Sequence, residues 1–425
     1  MATNEQTMQP SLSSTAATED LICLSHLRWN FVYQRPQHLM SRCAQDRRVF
    51  FVEEPVIDEQ KPYLDVQVHA VASENKTSRV WVVVPHIPPG LSDEQRVETL
   101  RMLIDQLCVD HGIQFYHLWY YTPEALPFTR TLQPLVVVYD CMDELSLFKG
   151  ANPQLYDLEV ELLSRADVVF TGGVSLYKAK RSRHHNIYCF PSSIDMKHFQ
   201  QARDTTLPEP DDQKEIPHPR LGFFGVLDER LDIELLRELA TARPDWHIVL
   251  IGPVVKIDPQ QLPKNANIHY LGMKDYKDLP LYLAGWDVAL LPFAINDSTR
   301  YISPTKTPEY LAGGKPVVST PISDVVQMYG DKEFVRIAED ANQFVEAIKK
   351  ILSEGIQDEK LLERDAFLSE MSWDHTWNSM AVLIHHSASQ KRKWEAEAAL
   401  LDTIQQKPSP LPSTEEHINP APRRL

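Results

Sequence analysis

The sequence contains few glycines, 14 in 425 residues, and neither of the two common glycine-rich phosphate motifs occurs in it. A Gly-x-Gly-x-x-Gly turn would indicate a dinucleotide-binding domain, and Gly-x-x-x-x-Gly-Lys-Ser/Thr would indicate a P-loop. Their absence removes both interpretations. Any phosphate that the protein binds is therefore expected to contact helix N-termini and cationic side chains.

Cysteine is also scarce, and long apolar runs are missing. The five cysteines are odd in number and widely spaced, and they form no Cys-x-x-Cys pair, which fits a reducing cytosol. The first twenty residues are polar and lack the apolar core of a signal peptide. No apolar run approaches the ~20 residues that a bilayer-spanning helix needs. We predict a cytoplasmic protein and leave open a peripheral association with the inner face of the membrane.

Basic residues are fewer than acidic ones: the sequence contains 43 Lys and Arg and 59 Asp and Glu, and the formal net charge is −16. A nucleic-acid partner is therefore not expected, because phosphate backbones require clustered basic residues. Local basic clusters do occur at residues 47–48, 178–183 and 391–393. We interpret them as solvated helix faces, with contact to an anionic membrane surface as the alternative. Nothing in the composition indicates an oligomeric state.

The chain is long enough for two domains. Residues 1–19 and 403–425 carry no periodic apolar pattern and are predicted to be disordered tails. Residues 201–219, polar and rich in proline, are predicted to be a linker. It would separate a first domain, residues 20–200, from a second domain, residues 220–371.

Both domains alternate short β-branched runs with longer helical patterns, for example the runs at residues 49–53 and 247–251. Strands that are apolar at every position are buried on both faces, which is typical of parallel sheets covered by helices. The predicted fold class is α/β, with two doubly wound Rossmann-like domains. Apolar residues at helical spacing from Trp373 to Ile384 predict a helix over residues 372–402. It either crosses back to the first domain, which we favour, or completes the second core.

Residues 303–320 carry the most functional information. A polar loop leads into a predicted helix with Pro308 in its first turn, and Gly313 and Gly314 end that helix before a buried strand. The helix N-terminus points to the carboxyl edge of the sheet, where ligands bind in such folds. Lys306 there suits a diphosphate, and Glu309 is placed to accept hydrogen bonds from ribose hydroxyls. Alternatively, Glu309 only complements the helix dipole.

The pattern Pro-x-Lys-x-x-Glu-Tyr-Leu-Ala-x-Gly-Lys-Pro, residues 304–316, resembles the donor-binding signature of GT-B glycosyltransferases of the family 4-like group 1. In that family a glutamate at the position of Glu309 binds the nucleotide ribose. Gly225 and Arg230 resemble the strand–Gly–x4–Arg opening of the donor domain, whose cation meets the diphosphate. Gly252 resembles the glycine that lets the base approach the backbone. We also assign the following polar residues to the donor site: Asn296, Thr299, Thr307 and Tyr310.

The first domain carries the candidates for the other side of the cleft. Trp29, Gln34 and Arg35 resemble the loop-into-helix opening of a subgroup related to teichuronic-acid glycosyltransferases, and we assign them to acceptor or cleft contacts. Asp140 and Asp143 follow a buried strand and are the catalytic candidates, since a carboxylate there could bind the sugar or take the acceptor proton. Alternatively, Asp143 caps the next helix. Two carboxylates offer too few oxygens for a hard cation, so we predict no metal site.

The sequence departs from the family pattern at Tyr301, where many members carry a first glutamate, eight residues before Glu309. The contact of that glutamate to the transferred sugar is therefore not implied for this chain. The glycine-rich loop after the first strand is replaced by residues 29–35, and Ser192-Ser193 stands where the family hinge has Asn-Gly.

The resemblance implies two domains facing a central cleft and a hexosyltransferase that needs neither cofactor nor metal. It would move a sugar, with retention of anomeric configuration, from a UDP- or GDP-sugar to a cell-surface glycan or a lipid-linked precursor. Two alternatives remain open. One is a sugar-nucleotide epimerase of the same fold, and the other is a catalytically degenerate protein that only binds nucleotide sugars.

Overall fold

The computed structural model describes residues 19–58, 61–72, 77–355 and 358–405. The predicted tails, residues 1–19 and 403–425, lie outside these ranges except for residue 19 and residues 403–405. Residues 403–405 belong to the last helix.

The first domain is built on a nine-stranded sheet. Its strands are β1 (Asp20–Leu24), β2 (Val49–Val52), β3 (Val56–Ile57), β4 (Tyr63–Ala72), β5 (Thr77–Ile87), β6 (Tyr116–Tyr120), β7 (Val136–Cys141), β8 (Val168–Thr171) and β9 (Ile187–Cys189). They are ordered β3-β5-β2-β1-β6-β7-β8-β9, with β4 beside β5. Strands β1, β2 and β6 are buried at every position, as expected for a parallel sheet covered on both faces.

The pairing of β4 with β5 is the one antiparallel feature among the described strands, and it runs from Tyr63 opposite His86 to Ala72 opposite Thr77. The apolar-run pattern did not predict β4, because Asp65, Gln67 and His69 alternate with apolar residues along it. Such period-two alternation is typical of an edge strand with one face exposed to solvent.

Helices cover the first sheet and connect its strands. They are α1 (Arg35–Cys43), α2 (Asp93–Asp110), α3 (Leu126–Thr129), α4 (Leu155–Arg165) and α5 (Val174–Lys180). A short helix, α6 (Met196–Gln200), begins the crossing to the second domain, with Asp195 capping its N-terminus.

The second domain is built on six parallel strands: β10 (Arg220–Phe224), β11 (His247–Ile251), β12 (Ile268–Gly272), β13 (Val288–Leu291), β14 (Val317–Ser319) and β15 (Val335–Ile337). Their order is β12-β11-β10-β13-β14-β15. Its helices are α7 (Ile233–Ala242), α8 (Leu279–Ala284), α9 (Lys306–Ala312), α10 (Ser323–Tyr329), α11 (Ala341–Glu354) and α12 (Asp358–Ser369). The strand order reverses at β10, which opens the crevice where such sheets bind ligands.

The segment predicted as a linker, residues 201–219, packs against the second domain. Gln213 is fully buried, accepts a hydrogen bond from the indole of Trp286 at 3.0 Å and donates one to the carbonyl of Tyr282 at 3.0 Å. Ile216 is buried in the second core. The segment predicted as a linker therefore also contributes buried side chains to the second domain, which its polar composition did not indicate.

The last helix, α13 (Trp373–Gln405), returns to the first domain. Its residues Trp373, Trp377, Met380 and Ile384 join the same apolar cluster as Trp119 and Phe170. The favoured interpretation of a crossover helix is thus confirmed. In the part of the chain that the structure describes, no helix is both long and apolar enough to cross a membrane.

Candidate functional site

Two adjacent cavities lie between the carboxyl ends of the two sheets. The larger one, about 450 Å³, is lined by residues 29–34 of the first domain and by second-domain residues that follow β10, β11 and β12 or begin α9. The smaller one, about 80 Å³, shares Gln34, Thr305 and Lys306 with the larger cavity. A single elongated ligand could therefore occupy both, with its middle at the shared residues.

Gly225 and Gly252 form the wall of the larger cavity at the ends of β10 and β11. Both have a positive φ, +145° and +144°, which residues with a side chain rarely adopt. A Cβ atom on Gly252 would collide with the carbonyl oxygen of Gly225, and one on Gly225 would collide with the Cε and Nζ atoms at the end of the Lys306 side chain. These glycines therefore let backbone, lysine and ligand approach one another closely.

Lys306 is the first residue of α9, and its ammonium lies 5.8 Å from the ring centroid of Phe223. It makes no hydrogen bond or ion pair with any residue in the described ranges. Burial lowers its pKa below the ordinary value, while the nearby Glu309 opposes that shift. A partly buried ammonium that makes no ion pair favours the binding of an anion, because an anion restores part of the interaction with water that burial has removed.

Glu309 faces the larger cavity one helical turn after Lys306. It is 8 % exposed. Burial raises the pKa of its carboxyl group to about 8, Lys306 counteracts the shift, and Asp195 adds to it. The carboxyl group of Glu309 and the amino group of Lys306 thus both line the larger cavity, where a ligand could contact them.

Arg230 and Asp143 line the smaller cavity. Arg230 forms a bidentate ion pair with Asp228, with a shortest distance of 2.6 Å, and its guanidinium lies 5.5 Å from the ring centroid of Phe148 in the first domain. Burial raises the pKa of Asp143 to about 6, against the effect of Arg230. Asp143 therefore presents a carboxyl group that titrates close to neutrality, as proton transfer requires.

The structure corrects the catalytic assignment of Asp140. This side chain is fully buried, lines neither cavity, and accepts hydrogen bonds from Arg35 through both oxygens, at 2.8 and 2.9 Å. Arg35 also donates to the carbonyl of Phe190 at 2.8 Å and lines the smaller cavity. Asp140 therefore orients Arg35 from behind the cavity wall.

Four other residues assigned to the donor site line neither cavity. Asn296 and Thr299 cap one short turn reciprocally, with bonds of 3.2 and 3.0 Å, and line neither cavity. Tyr310 is fully buried, and its hydroxyl accepts the N–H of Phe224 at 3.0 Å, which supports the end of β10. Thr307 is fully buried too. Their assignment as donor contacts remains a prediction.

The first-domain residues assigned to the cleft, Trp29, Gln34 and Arg35, each line at least one of the two cavities. Trp29 lines the larger cavity, and its backbone N–H donates to Glu53 at 2.7 Å. Gln34 lines both cavities. The sequence reasoning missed Tyr276, whose ring lines the larger cavity after β12. Its position just after a parallel strand was the signal that could have found it.

Within the described ranges, no group of three or more His, Cys, Asp and Glu residues is arranged to hold a metal ion. Metal independence remains a prediction.

Comparison with known proteins agrees with this geometry. Residues 218–354 match the family model of glycosyl transferases group 1. The second domain is a group 1 glycosyltransferase domain. The match covers β10 to α11 and therefore includes Gly225, Arg230, Lys306 and Glu309, the residues named from the sequence resemblance.

One curated relative covers both domains in part. The chain is 26 % identical over 261 residues to the "Putative teichuronic acid biosynthesis glycosyltransferase TuaH" of Bacillus subtilis (strain 168). The match covers 56 % of this chain and 64 % of that protein, so it spans less than two thirds of the relative.

Solved structures share the fold. Sucrose-phosphate synthase from Thermosynechococcus elongatus is 16 % identical with a TM-score of 0.62, covering 87 % of this chain and 98 % of that one. The UDP-forming α,α-trehalose-phosphate synthase from Burkholderia xenovorans is 14 % identical with a TM-score of 0.61, covering 87 % and 100 %. Anabaena HepE in complex with UDP and glucose is 13 % identical with a TM-score of 0.60, covering 86 % and 98 %. The chain has the GT-B fold, as predicted.

Proposed function

We propose that this protein is a glycosyltransferase that moves a sugar from a UDP- or GDP-sugar to a glycan or a lipid-linked acceptor. The observation that carries the proposal is Lys306, a partly buried cation that makes no ion pair within the described ranges, at the junction of the two cavities. A diphosphate is the ligand whose charge and length fit that junction.

The donor would extend across both cavities. The nucleoside occupies the larger cavity, with its ribose beside Glu309 and its base near the backbone of Gly252. The sugar points into the smaller cavity, towards Arg35 and Asp143. The family resemblance supports the ribose assignment, and the shared lining at Lys306 supports the position of the diphosphate.

The chemistry would rest on charge. Lys306 and Arg230 would stabilise the negative charge that grows on the leaving diphosphate, and closure of the cleft around the donor would strengthen this effect by lowering the local dielectric constant. Asp143 is the candidate to hold or accept the proton of the acceptor hydroxyl. Retention of configuration and the absence of a required metal follow from the family resemblance alone and are part of the proposal.

Contacts between the domains would keep water out during transfer. The carboxylate of Asp324 in the second domain accepts the backbone N–H groups of Val174 and Ser175 at 2.8 and 2.9 Å, which caps α5 of the first domain. A closed cleft matters because water competes with the acceptor for the activated sugar.

Titration calorimetry with UDP and GDP tests the donor site. We expect one of the two nucleotides to bind, and Lys306→Ala to weaken it by roughly tenfold to a hundredfold through the loss of charge-assisted bonds. Lys349→Ala is the control, since this lysine is exposed on α11. The donor site is wrong if neither nucleotide binds, or if Lys306→Ala binds as tightly as the unmodified protein.

Turnover separates the alternatives. Tyr301 packs against the first-domain core, where many family members have a glutamate, and this observation favours a protein that binds donors without transferring the sugar. Incubation with radiolabelled UDP-sugars and extracted cell-envelope lipids gives labelled lipid if the protein is a transferase. A changed sugar in the absence of any acceptor would instead indicate an epimerase. We further propose a cytoplasmic role in cell-surface polysaccharide assembly, by analogy with the teichuronic acid biosynthesis glycosyltransferase of Bacillus subtilis.

A further inference from the structure

Tyr276 has a hydroxyl group that nothing in the described ranges binds. The residue begins a 3-10 turn, Tyr276–Asp278, just after β12, and it lines the larger cavity together with Glu309. Its Oη atom is buried and lacks a hydrogen-bond partner. A buried phenol oxygen in this state is destabilising unless a ligand supplies the missing bond.

The ring of Tyr276 is held by a stack of aromatic side chains. It lies parallel to His198, with centroids 4.4 Å apart and planes at 13°, and against Tyr33, at 4.6 Å and 29°. The Nε2–H of His198 donates to the carbonyl of Tyr276 at 3.0 Å. Stacking at these distances fixes the ring and therefore fixes the direction of its hydroxyl group.

The three rings come from three parts of the chain. Tyr33 precedes α1 in the first domain, His198 lies in α6 at the crossing between the domains, and Tyr276 belongs to the second domain. The stack continues through His38, which contacts Tyr33 edge-on at 4.7 Å and lies parallel to Trp373 of α13 at 4.6 Å. The position of the Tyr276 ring therefore depends on how the two domains are placed.

We propose that Tyr276 binds the ribose of the donor through its hydroxyl group, beside Glu309, and that Tyr33 is a positioning residue that holds the ring for this contact. The inference rests on the proposed function, because it takes the ligand to be a nucleotide. Burial raises the pKa of Tyr276 far above its ordinary value, and Glu309 adds to the shift. The phenol therefore remains protonated and can donate to a ribose oxygen.

The arrangement links donor binding to domain position. If the first domain moved away, Tyr33 would leave the stack and the ring of Tyr276 would lose one of its supports. A donor that contacts Tyr276 therefore stabilises the arrangement in which the stack is complete.

Calorimetry with Tyr276→Phe tests the contact, since this change keeps the ring and removes only the oxygen. The probes are UDP and GDP, and then the 2′-deoxy and 3′-deoxy forms of the nucleotide that binds. We expect Tyr276→Phe to weaken the ribonucleotide roughly fivefold to tenfold, as for one neutral hydrogen bond. For one of the two deoxy forms, Tyr276→Phe should reduce the affinity much less, because that nucleotide already lacks the hydroxyl group that the phenol contacts. Tyr282→Phe is the control, since its hydroxyl bonds Asp212 at 2.8 Å, away from the cavity.

Equal losses for the ribonucleotide and both deoxy forms would mean a structural effect and would overturn the inference, as would unchanged binding by Tyr276→Phe. Tyr33→Leu gives an independent test if Tyr276→Phe does not fold. Tyr33→Leu should reduce the affinity for the ribonucleotide more than the affinity for the same deoxy form. In a folded double variant with Tyr276→Phe, the effect of Tyr33→Leu on affinity should be smaller, because the two changes remove one shared interaction. Equal losses with Tyr33→Leu overturn the positioning role.

The outcomes also distinguish this inference from the proposed function. If the unmodified protein binds UDP or GDP and shows the pattern above but transfers no sugar, the inference stands and the transferase proposal fails. If it binds neither nucleotide, both fail.

Discussion

Arg35 and Asp140 form an ion pair whose side chains are 2 % and 0 % exposed, and it joins the start of α1 to β7. A buried pair of this kind contributes mainly through what happens when one partner is lost, because the remaining charge has no water to solvate it. The pair fixes the guanidinium of Arg35 at the floor of the smaller cavity. We therefore expect a change of Asp140 to act mainly on stability, and a change of Arg35 to act on activity as well.

Asp140→Asn should destabilise the protein strongly, by about 3–5 kcal/mol, because it leaves the charge of Arg35 buried without a partner. Urea unfolding followed by circular dichroism measures the change. Asp143→Asn is the matched control, since its carboxyl group forms no ion pair in the described ranges. It should change stability little and slow sugar transfer instead. A small stability loss for Asp140→Asn would contradict the structural role of the pair.

Gly225→Ala should abolish nucleotide binding. The new methyl group would collide with Lys306 and occupy a backbone conformation at φ +145° that alanine rarely adopts. Backbone strain alone costs about 1–3 kcal/mol. Gly90→Ala provides the comparison, since Gly90 has a φ of +78° but nothing within 4 Å of the added carbon. It should lower the melting temperature modestly and leave UDP or GDP binding intact. Normal binding by Gly225→Ala would rule out the proposed position of the nucleotide.

Glu309 should make the protein less stable as the pH rises. Burial raises the pKa of its carboxyl group from 4.5 to about 8, so between these values the folded state holds a proton that the unfolded state has released. Stability from this group is complete below pH 4.5 and is lost as the pH rises to about 8. Glu309→Gln should therefore gain stability relative to the unmodified protein across this window.

The check is the urea midpoint of both proteins measured from pH 4.5 to pH 8.5. The exposed residue Glu363 on α12 gives the control variant Glu363→Gln, whose midpoint should run parallel to that of the unmodified protein. Parallel curves for Glu309→Gln as well would show that the pKa of Glu309 is not raised in the folded state.

Asp324→Ala should loosen the contact between the domains. Its carboxylate caps α5 through the N–H groups of Val174 and Ser175, and loss of such a cap costs about 0.5–2 kcal/mol. Small-angle X-ray scattering should show a larger radius of gyration for the variant without donor. Asp331→Ala, an exposed change in the same domain, should leave it unaltered. A radius that does not change would mean that other contacts hold the domains together.

The sequence by itself determined the fold class, and it singled out the residues that we propose for the donor side of the site. Continuous apolar runs at β2, β7 and β11 require strands buried on both faces, and this local pattern does not depend on the rest of the chain. Lys306 and Glu309 could be singled out because they lie in a short segment, residues 303–320, in which neighbouring residues indicate the start of the helix, its end and the strand that follows. The crossover helix was likewise visible as spacing from Trp373 onwards.

Only the tertiary structure decided which polar residues reach the cleft. Asp140 lies in β7 and Asp143 follows that strand, yet Asp140 is paired with Arg35 behind the cavity wall and Asp143 faces the cavity. Asn296, Thr299 and Tyr310 have suitable side chains in a suitable segment, but they cap a turn or hold a strand. The aromatic stack at Tyr276 combines residues more than two hundred positions apart. A hydrogen bond or a ring contact depends on direction in space, and sequence spacing gives that direction only within one helix or one strand.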